Sequence, residues 1–211
     1  MTKASAALGF APHSGWAVAV GAAEVDRHLR VIVRERIDIA DPDDPKSKQP
    51  YHSVAGLATG DAAPRLAAYA ATAQQMAHEA VRRLVDELAR RGHPTVGAGI
   101  LESAGRRGSS LSAILASHAL IHTADGEHFR SAIEGAATRC ELPVVRVPAR
   151  ELHSRTAAET GTPIERLPLV LKDVGREMGP PWGADQKAAA LLAWLVLAKA
   201  SEGGERDDRV D

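Results

Sequence analysis

The hydrophobic pattern of this chain turns from strand-like to helical at Pro64, and that change bounds the architectures open to it. Before it, residues 6–10, 16–21 and 29–39 read as three strands, and Pro12-His13-Ser14-Gly15 forms the turn between the first two. After Pro64, a good first-turn residue, Leu66, Tyr69, Ala73, Met76, Ala80, Leu84 and Leu88 recur at spacings of three and four until Gly92. Three strands in succession imply an antiparallel meander. A long amphipathic helix after them needs a sheet face to cover.

The rest of the chain alternates. Residues 95–101 predict a short strand of small residues, buried between helices. Ser109 or Ser110 can cap a helix reaching His118, and a further helix is expected over 125–140. A fifth strand is expected at 142–147, then a polar stretch over 148–163 and helices over 164–178 and 184–200. The fold class that follows is α/β, a mixed five-stranded sheet with helices on both faces. One domain over residues 1–200 is expected, with a mobile excursion at about 40–63 and a charged, disordered tail over 201–211.

Composition narrows the chemistry. Hydrophobic residues make up 45% and aromatics only 3%, so Ala, Val, Leu and Ile must build the core. A net charge of −1 gives no global attraction to polyanions, which leaves local basic patches to do any such work. Cys140 is the only cysteine, which excludes an intramolecular disulfide and reads as a packed or partly exposed thiol, not a nucleophile, in a reducing compartment. No signal peptide is apparent, and the apolar run 188–198 is shorter than the roughly 20 residues a bilayer requires. A cytoplasmic protein is expected.

Three separated segments carry the chemical signal. Leu8-Gly9-Phe10-Ala11-Pro12-His13-Ser14-Gly15-Trp16 runs from strand one through its turn. Gly99-Ile100-Leu101-Glu102-Ser103 ends the fourth strand in a carboxylate, and Gly183-Ala184-Asp185-Gln186-Lys187 opens the last helix. In this order they resemble the three acid-bearing motifs of the RuvC-like branch of the ribonuclease H-like superfamily, over about residues 8–198. The resemblance implies the five-stranded ribonuclease H-like sheet, with an Asp ending the first strand, a Glu ending the fourth and one or two Asp heading the last helix. Ala11 stands where the first Asp belongs. Asp185 matches the second late acid with Trp182 at the first, or else the first with Ala188 at the second. In either register one acid is lost.

The resemblance implies a divalent-metal-dependent nuclease of branched DNA, with carboxylates holding two Mg²⁺ or Mn²⁺ ions about 4 Å apart. Here Glu102 and Asp185 are the metal-ligand candidates. His13, two residues past Ala11, is either a further ligand or proton donor or a plain turn residue; imidazole suits Mn²⁺ better than Mg²⁺. Arg106 and Arg107, on a glycine-flanked loop, and Lys46 and Lys48, in the basic run before Tyr51, are candidates for phosphate contacts or are solvated surface charges. The expected function is therefore nucleic-acid binding with a weakened or remodelled metal site. The alternative is a catalytically inactive structural or interaction subunit, with the 66–88 helix as the surface of a homodimer. His118 and His122 share one helical face; with no Cys or acid at zinc spacing, they read as a polar face rather than a zinc site.

Overall fold

The computed structural model describes residues 4–26, 28–102 and 109–207, the stretch 202–207 by its backbone alone. Strands β1 (Ala6–His13), β2 (Trp16–Val25) and β3 (His28–Asp38) form the meander. Helices α1 (Pro50–Ser53) and α2 (Thr59–Arg90) lead into β4 (Thr95–Glu102). Then come α3 (Leu111–Leu115), α4 (His118–Arg139), β5 (Val144–Pro148), α5 (Leu152–Thr160), α6 (Leu167–Met178) and α7 (Ala184–Asp207). The five strands make one sheet in the order β3-β2-β1-β4-β5. Its first three strands pair antiparallel, and β4 pairs parallel with both β1 and β5.

Strand periodicity sorts the core into two faces. Ala6, Leu8 and Phe10 of β1 join Ala98 and Ile100 of β4 in a cluster with α2 and α4. Ala7 and Ala11 join Leu101 of β4 in a second cluster against α7. The small residues of β1 and β4 set the distance to that helix. A Cβ at Gly9 would lie 1.9 Å from the carbonyl oxygen of Ala189, and one at Gly99 would lie 3.0 Å from Leu192 Cβ. Only glycine lets strand and helix backbones approach so closely.

The apolar stripe of α2 is used inside the monomer. Ala73, Ala80, Leu84 and Leu88 lie in the main core and Leu66 in a smaller cluster, so this stripe is not available as a dimer surface. Residues 40–63 hold a 3-10 turn (Pro45–Lys48), α1 and the start of α2. They bury Val54, and Ser47 is 4% exposed. The polar stretch 148–163 contains α5, which buries Leu152 and Thr156. Two buried residues one turn apart are too few to register as a helical period. Helix α4 begins at His118, earlier than expected, because the chain turns at residues 116–117 between it and α3. Helix α7 continues past residue 200 to Asp207. Among the described residues no helix is long and apolar enough to cross a membrane.

Candidate functional site

Parallel pairing brings the C-terminal ends of β1 and β4 to the same edge of the sheet, and the head of α7 arrives beside them. His13, the last residue of β1, places Nε2 3.0 Å from Asp185 Oδ2 in the first turn of α7. The helix dipole favours a carboxylate there. Gln186 accepts a hydrogen bond from the Gly183 amide at 2.8 Å, which fixes the helix start.

The His13 ring stacks on Trp16, with centroids 4.1 Å apart and planes 9° from parallel. The guanidinium of Arg36 lies 4.4 Å from the Trp16 ring on the next strand. Arg36 in turn donates to Asp38 at 3.1 Å. The result is a ladder across β3, β2 and β1 to α7, with His13 and Asp185 about two-fifths exposed. Lys48 adds a cation to this edge. Its stem lies against Gly15 at the β1–β2 turn, where a Cβ would meet Lys48 Cγ at 3.0 Å. Lys46 is exposed in the same 3-10 turn, whose start is capped by the Asp44 carboxylate. Arg106 and Arg107 lie outside the described residues.

Glu102 ends β4 at this edge but follows Ala98 and Ile100 onto the α4 face. Its Oε1 lies 3.0 Å from Arg146 Nε on β5. That buried Nε has no hydrogen-bond partner among the described residues, so the contact is coulombic rather than a directed hydrogen bond. The other guanidinium nitrogens donate to Glu127 at 2.7 and 2.8 Å and to Glu134 at 2.8 Å, both on α4. Arg146 thus gathers three carboxylates on the face of the sheet away from α7. Nothing in the local sequence marks it; only the register Ile100↔Arg146 puts it beside Glu102.

The structure thus pairs His13 with Asp185 on the α7 side, sets Lys48 against the β1–β2 turn, and turns Glu102 to the α4 side. Ala11 is 1% exposed and packed in the α7 cluster. Trp182 is also occupied structurally. Its Nε1 donates to the Leu171 carbonyl at 2.8 Å, and its ring covers Gly175, where a Cβ would come within 2.3 Å of Cδ1. A pair of Mg²⁺ ions needs several converging carboxylates. An apolar Ala11, an arginine-bound Glu102 and a packed Trp182 do not fit that arrangement.

Cys140 is half-buried. Burial pushes its thiol above the ordinary range, and Sγ lies 3.9 Å from His78 Nδ1.

No protein-family model and no curated protein matches the chain. Solved structures do. Thermus thermophilus RuvC superposes with a TM-score of 0.54 at 14% identity, over 94% of this chain and 96% of that one. The same protein in complex with a Holliday junction substrate gives 0.53 at the same identity and coverage. This is a RuvC-like ribonuclease H fold. The yeast mitochondrial Holliday junction resolvase Ydc2 also matches, at 10% identity and a TM-score of 0.43 over 96% of this chain and 84% of that one. Within the RuvC-like frame, Ala11, Glu102 and Asp185 occupy the ends of β1 and β4 and the head of α7.

Proposed function

We propose that this protein binds nucleic acid, branched DNA in particular, at the sheet edge where β1, β2 and the head of α7 meet, and that a two-ion centre has been remodelled there. The supporting observation is the Arg36–Trp16–His13 ladder, exposed at Arg36 and His13 around a half-buried Trp16, with Lys48 at the adjoining turn. Flat cationic and aromatic groups of this kind stack on bases, while lysines hold the phosphate backbone. The fold is shared with a protein solved in complex with a Holliday junction, which makes branched DNA the first substrate to try.

The reading favours binding over two-ion hydrolysis. Asp185 faces His13 and Glu102 faces Arg146, so each carboxylate already has a cation or an imidazole beside it.

The test is fluorescence anisotropy with a four-way junction, a duplex and a single strand across salt, together with a cleavage assay in Mg²⁺ and in Mn²⁺. Junction affinity should fall steeply with salt. Lys46→Glu with Lys48→Glu should weaken binding and lower the slope of log K against log salt by about 0.9 for each phosphate no longer neutralised. Arg106→Ala with Arg107→Ala should weaken binding to all sequences alike. No junction binding at low salt would overturn the proposal in favour of an interaction subunit. Strong Mg²⁺-dependent cleavage abolished by Glu102→Ala would overturn the remodelled centre.

A further inference from the structure

His118 and His122, one turn apart at the head of α4, do not form a merely polar face. Their Nε2 atoms are 3.0 Å from each other, and their rings meet nearly edge to face with centroids 4.5 Å apart. His52 of α1 joins them from a distant part of the sequence. Its ring centroid lies 4.4 Å from that of His122 and 5.4 Å from that of His118. One ring nitrogen from each of the three falls within 4.8 Å of the others.

A fourth residue orients the set. Asp125 is 3% exposed, and both of its oxygens are used. Oδ1 accepts from the Tyr51 amide at 2.7 Å, and Oδ2 lies 2.5 Å from His52 Nδ1. A carboxylate on Nδ1 holds that proton in place and leaves the Nε2 lone pair of His52 as its donor atom. This carboxylate–imidazole relay is the usual support of a metal-bound histidine. It is the acidic partner that the spacing of His118 and His122 does not reveal, because Asp125 acts through a residue 73 positions away.

We propose that His52, His118 and His122 bind one divalent ion of the zinc class, with Asp125 as the outer carboxylate. Three neutral imidazoles suit zinc, copper or nickel far better than Mg²⁺, which prefers oxygen. Zinc bonds of about 2.0–2.1 Å in a tetrahedron hold ligand nitrogens roughly 3.3 Å apart. The His118–His122 pair is within a few tenths of an ångström of that spacing. The site is an open one: His118 and His122 are exposed, so a fourth position faces solvent and can take water or an anionic oxygen. The ion would tie α1 to α4. Lys46 borders the same hollow as His52. The inference stands on the histidine geometry and does not depend on DNA binding.

The experiment uses the full chain, freed of metal by chelation and titrated with ZnCl₂ by calorimetry, with CoCl₂ as a spectroscopic substitute. One ion per chain is expected, with the intense visible bands of tetrahedral Co²⁺ and a raised melting temperature. His118→Ala and His122→Ala change exposed side chains and should leave the fold intact. Each should abolish the Co²⁺ bands and the zinc-dependent rise in melting temperature. Asp125→Asn should weaken binding about 10–100-fold. His13→Ala should leave the titration unchanged. Absence of stoichiometric binding overturns the proposal, as does binding that survives the double variant His118→Ala/His122→Ala or disappears with His13→Ala.

Discussion

Arg146 and Glu102 lie two register positions apart on neighbouring parallel strands, with Nε and Oε1 separated by 3.0 Å. The guanidinium is 10% exposed and holds Glu127 and Glu134 as well. Replacing it with Met leaves three carboxylates facing one another around an apolar side chain. Breaking such a cluster from one side costs more than the cluster contributes as a whole. Arg146→Met is expected to lose about 2–4 kcal/mol in urea unfolding at neutral pH, less than a fully buried pair because Glu134 is 41% exposed. The loss should shrink in acid as the carboxylates take up protons. A pH-independent loss would mean that poorer packing, not repulsion, dominates.

Gly9, pressed against α7, and Gly135, open on α4, make a contrasting pair. Gly9→Ala puts a methyl into the Ala189 carbonyl, a backbone atom that cannot swing away. A loss of about 3 kcal/mol or more, or failure to accumulate folded protein, is expected. Gly135→Ala, in α4 with nothing within 4 Å of its new Cβ, should gain about 0.5–1 kcal/mol from helix propensity. Thermal melts of the two variants in parallel would check both signs.

Ala11→Asp places a carboxylate in the α7 core cluster. Burial raises the pKa of such an acid above its unfolded value of about 3.9, so the penalty is small below that pH and grows as pH rises. At neutral pH about 2–4 kcal/mol should be lost. Melting curves with and without MgCl₂ should coincide, because Glu102 is turned toward Arg146 and Trp182 is packed on α6. Recovery of stability by Mg²⁺ would count against the remodelled centre.

His128 gives the wild type its own pH signature. Burial pushes its pKa below the ordinary histidine value, against a smaller opposite pull from Asp125. Its Nε2 has no hydrogen-bond partner among the described residues. The unfolded chain therefore binds this proton more readily than the folded one. The associated stability is fully present above about pH 6.5 and declines as pH falls below it. In urea titrations from pH 7.5 to 5, His128→Phe should flatten that decline.

The meander, the long helix and the motif order are legible in the sequence because each rests on a local signal. The short apolar runs of β1 and β2, the three-four spacing of α2 and the Ser110 cap of α3, whose Oγ accepts from Ala113 at 3.3 Å, all fall within one element. Helix α5 is not legible, since it buries only Leu152 and Thr156. The partners of Glu102 and of His118 are hidden for a different reason. Arg146 reaches Glu102 through strand register, and His52 reaches α4 through the path of residues 40–63. Charge and donor type are visible residue by residue; what each will face depends on topology.

Trp182 shows how hard an acidic centre would be to build at this edge. The indole is a structural member, bonded to Leu171 and seated on Gly175, where no larger residue fits. Ala11 and Arg146 are likewise built into separate cores or ion clusters. Each position resists an acidic replacement or partner for its own mechanical reason, so no single substitution leads downhill to an acidic centre. An acidic centre here would need several coordinated changes through less stable intermediates, whereas the ladder at the rim can vary one residue at a time.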